Sequence, residues 1–423
     1  MSLSTPTPVP APGRVAAPSR RLAGLAVTVL AILGAGCTSM SRHSVDDLEP
    51  LLRQTTPRIR AVLADPRAYR LQVLVSEVVA PRSGAPRLRR SGYRVDAEYF
   101  YPASSIKLGA AVVGLRTLET LERERGTGDL LEAPWEIAPL FPGDAAQTED
   151  PGGVPITAGR ELRKLALVSD NQAFNRLYDL VGHEPLNRAL RDLGLRSVVI
   201  NHRLSDPRPI PDPGASATVV LRPRRGSPIT IPARTSSLVL TNAAAGTRIG
   251  TAYLRGDARV EGPMDFTGRN GISLLDLQNL LVKLARPDID LGSPPLELSA
   301  NHRALLLLAM TAYPRESKDP VYPAARYPDA YSKFLLPGVR RVFPSARPGE
   351  RVEITGKVGR AYGFSVENAY LWNPANGKGV FLTAALYTNA DGVLNDDEYE
   401  YEEVADPVLA DLGELVARRW LSD

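Results

Sequence analysis

Cysteine is almost absent from this chain of 423 residues. The single one, Cys37, has no partner for an intramolecular disulfide, so covalent cross-links do not hold the fold. Four histidines, His43, His183, His202 and His302, are scattered without metal-ligand spacing, which leaves no basis for a zinc site. Aromatic residues make up only 6%. No basic stripe with interleaved aromatics occurs, so the pattern of a nucleic-acid binder is missing. There is no G-x-S-x-G elbow and no phosphate-binding loop. Lysine is scarce, with seven in the chain. No internal repeat is found. What remains is length enough for a large core and one to three domains.

The longest early apolar run, Leu22 to Ala35, is too short for a comfortable transmembrane helix. It comes after a Pro-rich, basic start through Ser19-Arg20-Arg21 and ends at Leu33-Gly34-Ala35-Gly36-Cys37, which resembles a bacterial lipoprotein lipobox. Gly34 departs from that pattern, where a larger aliphatic is usual. Residues 1–36 are expected to be a signal peptide, with Cys37 the lipid-modified mature N-terminus. That implies an exported protein anchored in the bacterial envelope on the periplasmic side. Thr38 points weakly to the outer membrane. Arg14, Arg20 and Arg21 belong to this segment; without them Lys+Arg falls from 51 to 48 against 47 acids, and the formal charge from +4 to about +1.

Further on, Leu48, Leu51, Leu52, Ile59 and Val62 form a loose helical face, and a strand over 71–78 alternates in both phases. Residues 93–101 read as a second strand or an extended entry to a buried helix. Thr157 caps a helix to Val168, and another runs from Asn171 to Val181, closed by Gly182. Residues 205–265 read as an insertion, with a hairpin at 217–231 and a further strand at 236–241. Ser273 starts another helix. Strands are expected at 351–357, 365–372 and 380–387, and an acidic run, Asp396 to Glu403, reads as a solvated loop. A C-terminal helix carries Val408, Leu412, Leu415 and Val416. The pattern predicts an α+β fold: an antiparallel sheet flanked by N- and C-terminal helices, plus an all-helical domain. The expected division is a discontinuous α/β domain from 45–100 and 330–423, with a helical domain over 101–329.

The chemistry concentrates at Tyr99 to Leu115, YFYPASSIKLGAAVVGL. Ser104 and Lys107 stand three apart at the start of a helix apolar on every side, hence buried. Side chains at this spacing share a face, and a partly desolvated lysine is able to take a serine proton. Ser169-Asp170-Asn171 occurs once, at a helix junction, and Lys357-Val358-Gly359 ends a strand. In this order SSIK, SDN and KVG resemble the S-x-x-K, S-D-N and K-T-G motifs of the serine β-lactamase and penicillin-binding-protein superfamily, most nearly the class A β-lactamases. The resemblance covers roughly Val45 to Trp420 outside the insertion.

It implies that Ser104 is the acylated nucleophile and Lys107 helps take its proton. Ser169 would relay a proton to the leaving nitrogen, and Asn171 would orient Lys107 and the substrate amide. Lys357 would supply positive potential for a substrate carboxylate. Gly359 and Arg360 would border the substrate, with the backbone N–H groups of Ser104 and Arg360 as oxyanion hole. No metal or cofactor is implied. Two positions depart from the family. Val358 replaces a hydroxyl residue, removing a carboxylate contact for which Arg360, Ser365 or Tyr362 are the candidates to compensate. No E-x-x-L-N occurs between Asn171 and Lys357, and Leu204 falls where the deacylating glutamate would be. Asp206 is the nearest acid. Three functions are compatible with this pattern: hydrolysis of a β-lactam or related amide or ester, a penicillin-binding or peptidase-like activity with slow deacylation, or non-catalytic binding of cell-wall fragments.

Overall fold

The computed structural model describes residues 47–80, 83–205 and 212–423, all within one unit running from His43 to Asp423. Cys37 and Asp206 lie outside the described residues. Among these residues no helix is long and apolar enough to cross a membrane.

Both ends of the chain build one antiparallel sheet. Its order is Glu353–Gly356, Phe364–Trp372, Gly379–Tyr387, Gln72–Val79 and Arg87–Tyr93; Gly359–Ala361 extends the first edge along Phe364–Trp372. Helices cover both faces, which explains why the 72–79 and 379–387 strands are apolar in both phases. Val73, Val75, Leu382 and Leu386 pack with Leu52, Ile59, Val408 and Leu412 from the terminal helices. Leu74, Val366, Phe381 and Ala385 turn the other way, into the core of the helical region. There the helix Leu274–Ala285 is stitched to the sheet by Gln278. Its Nε2 donates to the Leu74 carbonyl at 3.0 Å and to Thr383 Oγ1 at 3.2 Å, while its Oε1 accepts from Ser76 Oγ.

The fold is the α+β arrangement expected, with three local differences. The second strand is Arg87–Tyr93, not residues 93–101. Its arginines hid it: this is an edge strand, and Arg89 pairs across to Glu77 while Arg90 reaches Asn279. Residues 236–241 form no regular strand. In the insertion, Val219–Leu221 and Ile229–Ile231 do pair, and the first also pairs with Trp135–Ile137. The acidic run is not wholly a solvated loop. Its carboxylates are largely exposed, but Tyr399 and Tyr401 turn inward and residues Tyr401–Ala405 form a helical turn leading into the helix Asp406–Val416.

The helices Ala158–Leu167 and Asn171–Val181 carry a buried ionic cluster. Lys164 donates to Asp150 at 2.8 Å and Glu161 at 3.0 Å; Arg176 donates to Asp150 at 2.7 Å and Glu161 at 3.1 Å. Arg160 adds a longer contact to Asp150 at 3.5 Å, so three cations surround the two anions. Removing one member strands the others in a poorly solvated site. Glu161→Ala is therefore expected to destabilise the protein by about 3 kcal/mol or more. The midpoint of urea unfolding checks this; an unchanged midpoint contradicts it.

Candidate active site

Ser104 sits on a short 3-10 turn, Ala103–Ile106, that runs directly into the helix Lys107–Arg125. Ala103 is left-handed, with φ of 47°, a conformation disfavoured for a residue with a Cβ. Ser105 locks the turn, its hydroxyl donating to the Pro102 carbonyl at 2.7 Å. The next helical turn is apolar all round, so Lys107 enters the core and is fully buried.

Ser169 is held at the junction of two helices, also left-handed with φ of 58°. Asp170 caps the second helix, accepting from Ala173 N–H at 2.8 Å, and the N–H groups of Val168 and Asp170 both reach the Lys164 carbonyl. Lys164 is itself anchored in the ionic cluster. Strain at Ser169 is thus held in place by the cap and the cluster behind it.

Four of the residues singled out in the sequence converge here. Lys107 Nζ donates to the Ser169 carbonyl and to Asn171 Oδ1 at 2.6 Å, and lies 3.3 Å from Ser169 Oγ. Lys357 Nζ donates to the same Ser169 Oγ at 2.8 Å and to the Val358 carbonyl at 3.0 Å. The Ser169 hydroxyl therefore bridges two buried lysine amines. Burial, then the charge of Lys357, drive the pKa of Lys107 well below the ordinary lysine value, and nearby Asp170 opposes this only in part. Burial brings Lys357 down to about 7. Behind Lys357 lies Glu367, fully buried on the 364–372 strand and raised to about 7 by desolvation, with Lys333 on its other side, lowered to about 7 by burial. Glu367 favours the charged form of both lysines.

Ser104 lies where two cavities meet, and it lines both. The larger, about 860 Å³, is bordered by Asn171, Leu204, Arg269, Tyr362, Asp397 and Tyr401 among others. The smaller, about 560 Å³, is bordered by Ser169, Val358, Tyr331 and Phe334. Neither lysine lines either cavity, so Lys357 reaches the cleft through Ser169 rather than by facing it.

The edge strand Gly359–Ala361 lies against the Ser104 turn. A Cβ on Gly359 would fall 2.8 Å from Ser104 N and 2.7 Å from Ser105 N, and closer still to the Pro102 carbonyl, so only glycine permits this approach. In the antiparallel register Gly359 pairs with Val366 and Arg360 with Ser365, while Lys357 N–H donates to the Asn368 carbonyl. That alternation makes Arg360 a non-hydrogen-bonded position, its N–H turned away from the sheet. The Arg360 side chain is held by Asp406 and lies over the rings of Phe334 and Tyr401. Of the other candidates to replace the missing hydroxyl at Val358, Ser365 is fully buried and Tyr362 is packed edge-on against Tyr101 and Phe266.

Leu204 borders the larger cavity with its main chain pinned by Asn175, which accepts from Leu204 N–H at 3.0 Å and donates to its carbonyl at 3.1 Å. No carboxylate stands at this position. His202 lines the same cavity, but its Nδ1 is committed to the Arg203 carbonyl at 2.7 Å and its Nε2 accepts from Asn270 N–H at 3.4 Å. Burial lowers its pKa to about 4, so it is neutral. Sequence reading missed Glu367 and Lys333. A glutamate inside the largely apolar strand Phe364–Trp372, next to Asn368, was the available signal. Arg269, Asp397 and Tyr401 were missed as well, and nothing local marks them.

Residues 92–241 match the family model described as the Beta-lactamase enzyme family. The match takes in Ser104, Lys107, Ser169 and Asn171 and stops before Lys357. With the fold and these motifs, it identifies a resemblance to the serine β-lactamase and penicillin-binding-protein superfamily. Similar solved structures include a β-lactamase from Desulfarculus baarsii DSM 2075, at 19% identity over 85% of this chain and 94% of that one, TM-score 0.44. Another is the β-lactamase from Streptomyces albus G, at 16% identity over 85% and 97%, TM-score 0.47. A third is PBP-A, at 16% identity over 85% and 92%, TM-score 0.48. At these identities and scores they carry no argument about activity. No curated protein matches.

Gly359→Ala is expected to push the strand away from the Ser104 turn at a cost of about 1–3 kcal/mol. A lowered melting temperature checks this, together with a crystal structure in which residues 102–105 have shifted. An unshifted turn at unchanged stability contradicts it.

Proposed function

We propose that the protein is a serine acyl-transfer enzyme of the class A β-lactamase-like type, with Ser104 as nucleophile toward a β-lactam or a related amide or ester. The observation that carries this is the Ser169 hydroxyl held between Lys107 and Lys357, beside Ser104 at the meeting of two cavities. A lysine with a strongly lowered pKa is a base near neutral pH. In the proposed reaction Lys107 takes the Ser104 proton as Oγ bonds to the substrate carbonyl carbon. The oxyanion is met by the N–H groups of Ser104 and Arg360, the latter turned out from the sheet edge. As the C–N bond breaks, Ser169 gives its proton to the leaving nitrogen and recovers one from Lys107, which carries the proton first taken. Lys357, in its protonated form, stabilises Ser169 throughout.

Release of the acyl group needs water and a base. Leu204 occupies the position where the resemblance calls for a glutamate, and its apolar side chain activates no water. That observation favours a second reading, a penicillin-binding or peptidase-like enzyme whose acyl-enzyme persists. Export and lipid attachment at Cys37 belong to the same proposal, since a β-lactam or wall peptide is met outside the cytoplasm. They rest on the sequence of residues 1–37 alone.

Intact-mass spectrometry over time with benzylpenicillin tests the reading. Wild type is expected to gain one penicilloyl mass that decays slowly. Ser104→Ala should gain none, and Leu204→Glu should shorten the lifetime of the adduct by tenfold or more. Equal labelling of wild type and Ser104→Ala overturns acyl transfer to Ser104. No labelling of wild type favours the non-catalytic binding protein instead.

A further inference from the structure

The two cavities divide the substrate. Ser169, which protonates the leaving nitrogen in the proposed reaction, lines the 560 Å³ cavity and not the 860 Å³ one. The leaving group therefore belongs in the smaller cavity, and the acyl group stays in the larger, with Ser104, Asn171 and Arg360 lining both. This larger cavity is the one bordered by the insertion and by the loop around residue 397.

Its charges are unequal in their commitments. Arg203 gives its Nη2 to Asp179 and the Ala215 carbonyl, its Nε and Nη1 lying buried out of reach of the cleft, and Arg360 is held by Asp406. Arg269 borders the same space, half-buried, and among the described residues its guanidinium has no hydrogen bond and no ion pair. The groups that feel its charge are neutral: Tyr99 and Tyr101, kept protonated by burial, and His202. Asp397 is the one acid among the described residues lining this cavity, and it makes no ion pair with Arg269. A guanidinium left unpaired at the wall of a cleft presents a planar fork of donors that matches a carboxylate.

We propose that Arg269 anchors a carboxylate carried on the acyl side of the substrate, so that the enzyme favours acyl donors with an anionic acyl chain. The site is separate from the leaving-group side, where Val358 has removed a hydroxyl contact and Lys357 lies behind Ser169. The two ends of the substrate are then read differently: aromatic walls with Glu402 and the Arg360–Asp406 pair around the leaving group, an unpaired positive charge around the acyl group. This specificity presupposes acyl transfer to Ser104.

Two penicillins that differ by one acyl-side carboxylate test it: α-carboxybenzylpenicillin and benzylpenicillin. The readout is the ratio of their second-order acylation rates, followed by mass spectrometry. Wild type is expected to favour the carboxylated compound at least tenfold. Arg269→Gln should bring the ratio close to one, and Arg269→Lys, which keeps the charge but not the fork, should fall between. Equal rates in wild type overturn this inference while leaving acyl transfer intact, and so does a preference that survives Arg269→Gln. No adduct from either compound overturns acyl transfer itself and this inference with it.

Discussion

One hydroxyl held between two buried lysine amines governs this molecule. Two lysines within reach of Ser169 Oγ cannot both keep their charge away from water, because desolvation and mutual repulsion act in the same direction. The site meets this by asymmetry. Lys107 has Lys357 against it, and relief only from Asp170; Lys357 is supported by Glu367, which outweighs the opposing charge of Lys333. The unusual features of the backbone serve that placement. Left-handed Ser169, the ionic cluster beneath it, the tight turn at Ala103 and the glycine at 359 bring three separate chain segments to one point.

The same arrangement explains what the cleft does with its two departures from the family pattern. Lys357 is covered by Ser169, so in the proposed reaction its charge acts on the proton shuttle more directly than on a substrate anion. Losing the hydroxyl at Val358 fits the proposed leaving-group side, where Tyr331 and Phe334 stand beside Glu402 and Asp406. On the acyl side, Leu204 keeps the place of the missing glutamate apolar. On the proposed reading, a nucleophile beside a release step that lacks its base describes an enzyme better built to be acylated than to turn over.

Much of this was legible in the sequence, for physical reasons. Ser104, Lys107, Ser169, Asn171 and Lys357 could be found because each sits where its local sequence also signals a helix start, a cap or a strand end. The antiparallel sheet showed itself through strands apolar in both phases. The strand at 87–93 did not, because an edge strand rich in arginine has no hydrophobic alternation to read. The strand expected at 236–241 failed for the opposite reason: propensity without a partner makes no strand. Glu367 and Lys333 meet across more than thirty residues of chain, and Arg269 and Asp397 reach the cleft only through tertiary folding. No local pattern encodes such meetings.

With only seven lysines in the chain, the charge asymmetry is directly measurable. Titration of the lysine side chains by NMR, with Lys107→Arg and Lys357→Arg used for assignment, reports the protonation of each ammonium. Lys357 is expected to titrate near 7, and Lys107 well below the ordinary lysine range. If both titrate in the ordinary lysine range instead, neither is desolvated as described, and Lys107 is no base for Ser104.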